Sequence, residues 1–175
     1  MNGTLKILHL EDNDLDAELV ASVVAGEGLQ CSIHRVQDKA GFLSALENAP
    51  DIILADFSLP GFSGADALQI AQEISPQTPF ILVSGALGEE LAIEMIKKGM
   101  TDYVMKHRLS RLAPAIQRAL REAEEIQTRQ RAEKEREEAN RELERAFMHT
   151  YELAFVDQLT GIPNREALLQ NIELL

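Results

Sequence analysis

At 175 residues the chain is longer than one ordinary domain and short for two, and its 45% hydrophobic residues suffice for one core. Lys and Arg number 17 against 29 Asp and Glu, a net charge of −12 that repels phosphate backbones and excludes nucleic acid as a partner of the whole chain. No apolar run approaches the roughly 20 residues that cross a bilayer, and the start MNGTLKILHLEDND lacks the marks of an export signal. The expectation is a cytoplasmic protein without membrane contact. One cysteine, Cys31, permits no internal disulfide and is expected in packing.

Charge divides the chain near residue 110. Residues 1–108 carry 16 acids against 7 bases, and residues 109–175 carry 13 against 10. In the first part short apolar runs alternate with helical periods. The run Leu5–Leu10 predicts a strand, and Leu15, Leu19 and Val23 then share a helix face. A weaker strand around Cys31, Ile33 and Val36 precedes Phe42, Leu43 and Leu46. Ile52–Ala55 follows, then a helix after Ser63-Gly64 with Leu68, Ala71 and Ile74 on one side. Phe80–Val83 leads to a stripe of Leu91, Met95 and Lys98 flanked by Ala92 and Ile96, and Tyr103–Met105 closes the series. Nearly continuous apolar strands suit a parallel sheet covered on both faces. Five βα units predict an α/β fold with helices on both sides of the sheet.

In such a sheet side chains converge where the strands end. Glu11 and Asp12 follow the first run, Asp56 the third and Ser84 the fourth, with Lys106 at the end of the fifth. Carboxylates held close repel unless a cation sits among them, and Mg²⁺ accepts a few carboxylates with water and phosphate oxygens. A lysine and a hydroxyl beside them suit a phosphoryl group, and one carboxylate is a candidate nucleophile toward phosphorus. Each residue also has a plainer reading: Asp12, Asn13 and Asp14 as helix caps, Asp51 as a turn residue, Tyr103 as core. A phosphatase of the aspartyl-phosphate type needs a second acid two residues after the nucleophile, where Ser58 stands. No G-x-x-x-x-G-K-[ST] loop is present, and Gly85 with Gly88 makes no dinucleotide fingerprint.

HLEDND, DIILADFSLPGFSG, FILVSGA and DYVMKHRL resemble the signature segments of response-regulator receiver domains over roughly residues 4–122. The resemblance implies a flavodoxin-like doubly wound sheet of order 2-1-3-4-5 and a receiver domain over residues 1–122. It implies Asp56 as phosphoacceptor, with Mg²⁺ held by Glu11, Asp12, Asp56 and the Ser58 carbonyl. Ser84, Gly85, Ala86 and Lys106 would receive the phosphoryl group, and Tyr103 would be the switch aromatic. The implied partner is a sensor histidine kinase or phosphotransfer protein. A receiver-like interaction module that does not switch is the alternative. His107 stands where many receivers have a proline in cis, so an ordinary trans peptide is expected after Lys106.

Ser110 and Pro114 suit the opening of a helix, and no breaker follows until Gly161. Leu112, Ile116, Ala119, Ala123 and Ile126 form one stripe; Ala132, Ala139, Leu143, Ala146, Thr150 and Leu153 form another, one residue out of register. Between Arg121 and Arg145, 16 of 25 residues are charged with mixed signs. A helix over 111–156 would be about 70 Å long, a coiled-coil-like rod with residues 123–156 as linker. A solvated spacer is the plain reading; a parallel homodimer through residues 111–156 is the sharper one. DQLTGIPNR then resembles the opening of GGDEF diguanylate cyclase domains, over residues 157–175 alone. The signature loop of that family is absent, so the chain is expected to make no cyclic di-GMP and to be the regulatory part of a longer cyclase.

Overall fold

The computed structural model describes residues 4–85, 88–155 and 162. Five strands, β1 (Leu5–Leu10), β2 (Cys31–Val36), β3 (Ile52–Ala55), β4 (Phe80–Ser84) and β5 (Asp102–Met105), form one parallel sheet in the order β2-β1-β3-β4-β5. They alternate with α1 (Asp14–Gly26), α2 (Lys39–Leu46), α3 (Gly64–Ile74), α4 (Glu89–Lys97) and α5 (Leu112–Phe155). A 3-10 segment, Lys106–Arg111, joins β5 to α5 and is interrupted at Arg108, whose φ is −134°. The expected class and strand order are both present. The chain divides into two units, residues 1–127 and 128–175.

Alternate residues of each strand face opposite sides, and each side has its own core. Leu8, Leu10, Ile53, Ala55, Phe80 and Leu82 meet Phe42 and Leu46 of α2, Leu68 and Ala71 of α3, and Met95 of α4. Ile7, Ile52, Leu54, Ile81, Val83 and Val104 meet Val20 and Val24 of α1, and Leu112, Ile116 and Ala119 of α5. Burial of both faces explains why the central strands carry no polar alternation. Cys31 packs at the margin of the second core, as expected.

The helix faces differ in part from those the sequence suggests. In α1 the buried residues are Ala17, Val20 and Val24, whereas Leu15 is 75% and Leu19 49% exposed. The helix offers two apolar stripes rotated by one or two residues. The stripe that turns inward continues the face of Asp16, four residues before Val20, whose carboxylate is bound to Lys106 at the sheet edge. Leu68, Ala71, Ala92 and Met95 are buried, but Ile74 and Ile96 at the ends of their stripes are exposed. Helix α5 runs to Phe155 as expected, with Leu112, Ile116 and Ala119 buried and Ile126 exposed. The GGDEF-like opening, apart from position 162, lies outside the described residues.

His9, in the middle of β1, is 1% exposed, and its Nε2 has no hydrogen-bond partner. Burial, reinforced by the charges of Arg35 and Lys106, pushes its pKa down to about 4. Between pH 6.5 and about 4 the unfolded chain therefore binds a proton at this position that the folded chain does not. Its contribution makes stability fall as the pH falls through that window, by about 3 kcal/mol in full. Urea denaturation from pH 7 to pH 4 tests this: relative to wild type, His9→Leu gains stability as the pH drops, and a constant difference would refute the assignment.

Candidate functional site

The acidic residues enter from three connections at one edge of the sheet. Glu11 and Asp12 form the turn between β1 and α1. The amide of Glu11 donates to the Val36 carbonyl at 3.0 Å, extending the β1–β2 ladder by one bond. Asn13 then caps α1, its Oδ1 accepting from the amides of Leu15 at 2.9 Å and Asp16 at 3.2 Å. Of the three candidate caps, Asn13 holds the cap position, and Asp12 stays free of that duty. The Asn13 amide donates back to Glu11 Oε1 at 3.1 Å.

Asp56 is the residue after β3, and its amide continues the ladder to the Leu10 carbonyl at 2.9 Å. Its Oδ1 accepts from the Ser58 amide at 3.3 Å, which curls the following loop around the carboxylate. Helix α3 starts close to it. Gly64 leaves no room for a side chain: a Cβ there would lie 2.5 Å from the Asp56 carbonyl oxygen and 2.9 Å from the Phe57 Cα. A capping box between Ser63 and Asp66 holds that first turn, and its hydrogen bonds keep the Asp66 carboxyl below the usual carboxylate range.

Glu11, Asp12 and Asp56 each place a carboxylate oxygen within 4.8 Å of the others. Glu11 is wholly buried, Asp56 is buried and Asp12 is exposed. Lys106 crosses from the end of β5 and donates to Glu11 Oε2 at 2.8 Å, Asp56 Oδ2 at 2.8 Å and Asp16 Oδ2 at 2.5 Å. An ammonium has three protons, and all three are engaged. Burial works against the charge on Lys106, but the bonds to Asp16, Asp56 and Glu11 outweigh it and hold the ammonium above the ordinary lysine range. Burial raises the Glu11 pKa, and the bonds from Lys106 and the Asn13 amide only partly offset it. One lysine cannot neutralise several carboxylates. The remaining negative charge, presented by hard oxygen donors, fits a divalent cation such as Mg²⁺.

Ser84 ends β4 as a strand residue, buried and paired in register with Met105, the residue before Lys106. Gly85 is exposed next to it, and Ala86 lies outside the described residues. Tyr103 pairs with Leu82 and packs half-buried against the core on the α2, α3 and α4 side. No cis peptide bond occurs among the described residues, so Lys106 reaches the carboxylates with a trans bond to His107.

Two residues of the site were absent from the sequence expectation. Asp16 lies in the first turn of α1, four residues after Asp12, a spacing that places it on the same side of the turn. Arg35 sits near the end of β2, opposite His9 in the β1–β2 register, and binds the turn carrying Glu11 and Asp12. Alternating strand ends would have pointed to it had β2 been read for side chains beyond its apolar positions.

The chain is similar to several known proteins. The chain is 29% identical over 102 residues to the DNA-binding response regulator MtrA of Mycolicibacterium smegmatis, covering 58% of this chain and 43% of that protein. It is 30% identical over 121 residues to the regulatory protein AtoC of Escherichia coli, covering 69% of this chain and 26% of AtoC. The chain thus spans less than half the length of these curated relatives. Among solved structures, a CheY-like receiver domain protein from Methanospirillum hungatei shares the fold with a TM-score of 0.63 at 23% identity, over 71% of this chain and 99% of that one. The phosphorylated cyanobacterial phytochrome response regulator RcpA does so with a TM-score of 0.57 at 22% identity, over 65% of this chain and 91% of that one. Residues 7–117 match the response regulator receiver domain, and the chain belongs to that family.

Proposed function

We propose that the chain is a phosphorylation switch in which Asp56 accepts a phosphoryl group from a sensor histidine kinase, a phosphotransfer protein or a small phosphodonor, with Mg²⁺ required. The observation that carries this reading is the convergence of the Glu11, Asp12 and Asp56 carboxylates within 4.8 Å of one another, with the Lys106 ammonium bound to Glu11 and Asp56. Glu11, Asp12, Asp56 and the Ser58 carbonyl would hold the metal. Bound there, Mg²⁺ would offset charge on the phosphoryl oxygens.

The step itself is an in-line displacement. An Asp56 carboxylate oxygen forms the new bond to phosphorus, the bond to the donor's leaving group breaks, and that group departs with the electron pair. Lys106 trades one of its carboxylate bonds for a phosphoryl oxygen, and its raised pKa keeps it charged throughout the neutral range. Ser84 donates its hydroxyl to a second oxygen, and Gly85 and Ala86 leave space for the group. Tyr103, already half-buried beside the core, turns inward as Ser84 moves toward the phosphate. The Ser58 amide and Lys106 hold the Asp56 nucleophile in place, while the acid that a hydrolase would need two residues later is replaced by Ser58.

Residues 1–122 form the receiver, residues 123–156 a helical linker, and residues 157–175 the opening of a GGDEF domain of a parent diguanylate cyclase. In this reading two copies pair in parallel through residues 111–156, and the switch alters that pairing. Exposed apolar side chains along α5, Leu143 at 67% and Met148 at 54%, support a partner for this helix.

Intact-mass spectrometry after incubation with Mg²⁺ and acetyl phosphate tests the switch. The wild-type chain gains one phosphoryl group, Asp56→Asn gains none, and Lys106→Met gains it roughly 10²-fold more slowly. An unlabelled wild type favours the non-switching interaction module instead. Sedimentation equilibrium tests the pairing: the chain sediments as a dimer and Leu143→Glu shifts it to monomer, whereas a wild-type monomer at high concentration refutes the dimer.

A further inference from the structure

The turn that presents Asp12 is held from outside the site. Arg35 Nε donates to the Glu11 carbonyl at 2.8 Å and one terminal nitrogen donates to the Asp12 carbonyl at 2.9 Å. Its other terminal nitrogen meets Asp14 Oδ1 at 2.6 Å. The Glu11 carbonyl belongs to the peptide before the Asp12 Cα and the Asp12 carbonyl to the peptide after it. One planar guanidinium therefore fixes both peptide planes flanking Asp12, and with them its φ and ψ. The direction of the Asp12 Cβ follows from those two angles.

Asp12 needs this more than its neighbours. Glu11 is buried and bound by Lys106, and Asp56 is bound by Lys106 and the Ser58 amide. The Asp12 carboxylate is exposed and accepts no hydrogen bond from the protein among the described residues, yet it lies within 4.8 Å of the other two carboxylates. Three like charges this close would otherwise swing the exposed one toward water. We infer that Arg35 is a positioning residue of the metal site, which fixes the backbone of Asp12 so that its carboxylate faces Glu11 and Asp56 before a cation arrives.

This assignment rests on the reading that Mg²⁺ binds these carboxylates. A lysine at position 35 supplies the charge and most of the stem but lacks the planar fork that holds two carbonyls in fixed directions. Calorimetric titration of the 175-residue chain with MgCl₂, in the absence of any phosphodonor, provides the test. Arg35→Met and Arg35→Lys both weaken Mg²⁺ binding on the order of 10-fold, as loss of an outer-shell support does. Asp14→Asn, which keeps both carbonyl bonds, stays within about twofold, since Asp14 is 79% exposed and its ion pair is worth little. At saturating Mg²⁺ the rate of phosphoryl gain in Arg35→Lys returns to the wild-type value, a split that general loss of structure would not produce. Thermal denaturation by circular dichroism follows each variant; if Arg35→Met does not fold, Arg35→Lys carries the test. Wild-type affinity in the folded Arg35 variants overturns the inference, as does full affinity in Arg35→Lys alone, because a point charge would then suffice. If the wild-type chain itself binds no Mg²⁺, the metal reading fails and the role of Arg35 falls with it; if wild type binds and is labelled on Asp56 while the variants match it, Arg35 alone is refuted.

Discussion

Everything at this edge of the sheet follows from the mutual repulsion of carboxylates that the chain brings together and only partly neutralises. Glu11, Asp12, Asp16 and Asp56 arrive from β1, the turn after it, α1 and β3, and Lys106 is the cation that binds three of them. With Glu11 at zero exposure, water cannot screen the cluster as it would on a surface. Lys106 therefore does two things at once. It ties the end of β5 to the ends of β1 and β3, and it leaves behind an excess of negative charge directed at one point. Under the proposed function, a cation or phosphorylation of Asp56 would alter that balance, and the ion pairs that hold the resting arrangement are the ones a switch would redistribute.

The fold serves this arrangement by keeping the strand ends level. The Asp56 amide bonds the Leu10 carbonyl and the Glu11 amide bonds the Val36 carbonyl, so the residues just beyond β1 and β3 still belong to the ladder. Asp56 and Glu11 thus begin at fixed heights. Gly64 lets α3 start against the Asp56 carbonyl, where any larger residue would push the loop away. Asp16 transmits the site's geometry in the other direction. Its bond to Lys106 lies on the side of α1 that turns inward, where Val20 and Val24 fill the second core.

Asp56, Glu11, Asp12 and Lys106 were legible in the sequence because a parallel sheet converts position after an apolar run into position in space. That rule needs only the strand boundaries, and these were clear in the runs Ile52–Ala55 and Phe80–Val83, where every residue is buried. The inward face of α1 was not legible, because Leu15, Leu19 and Val23 and the stripe of Ala17, Val20 and Val24 are both apolar at helical spacing. Hydrophobicity alone favours the larger leucines. The inward stripe is instead the one in line with Asp16, which bonds Lys106 90 positions away, and no local pattern contains that pairing. Arg35 was missed because β2 was read for its apolar positions alone, and two of its three partners are backbone carbonyls, which residue types do not reveal.

The same reasoning separates the two cations of the site. Lys106 binds carboxylate oxygens with rotatable N–H donors, and in the proposed switch one of those bonds would be exchanged for a phosphoryl oxygen. Arg35 binds carbonyls through a rigid fork, and breaking those bonds would free the turn itself. In the proposed switch, one cation stands where the charge pattern would change, the other where the geometry would have to hold. Their difference in chemistry matches that division, since an ammonium adapts to new partners while a guanidinium enforces a plane. The buried imidazole of His9 lies between them in the sheet, kept neutral by burial and by these two positive charges. A third cation there would add repulsion with no hydrogen-bond partner to compensate, so the site works with the histidine uncharged and the carboxylates facing only the two cations that bind them or their backbone.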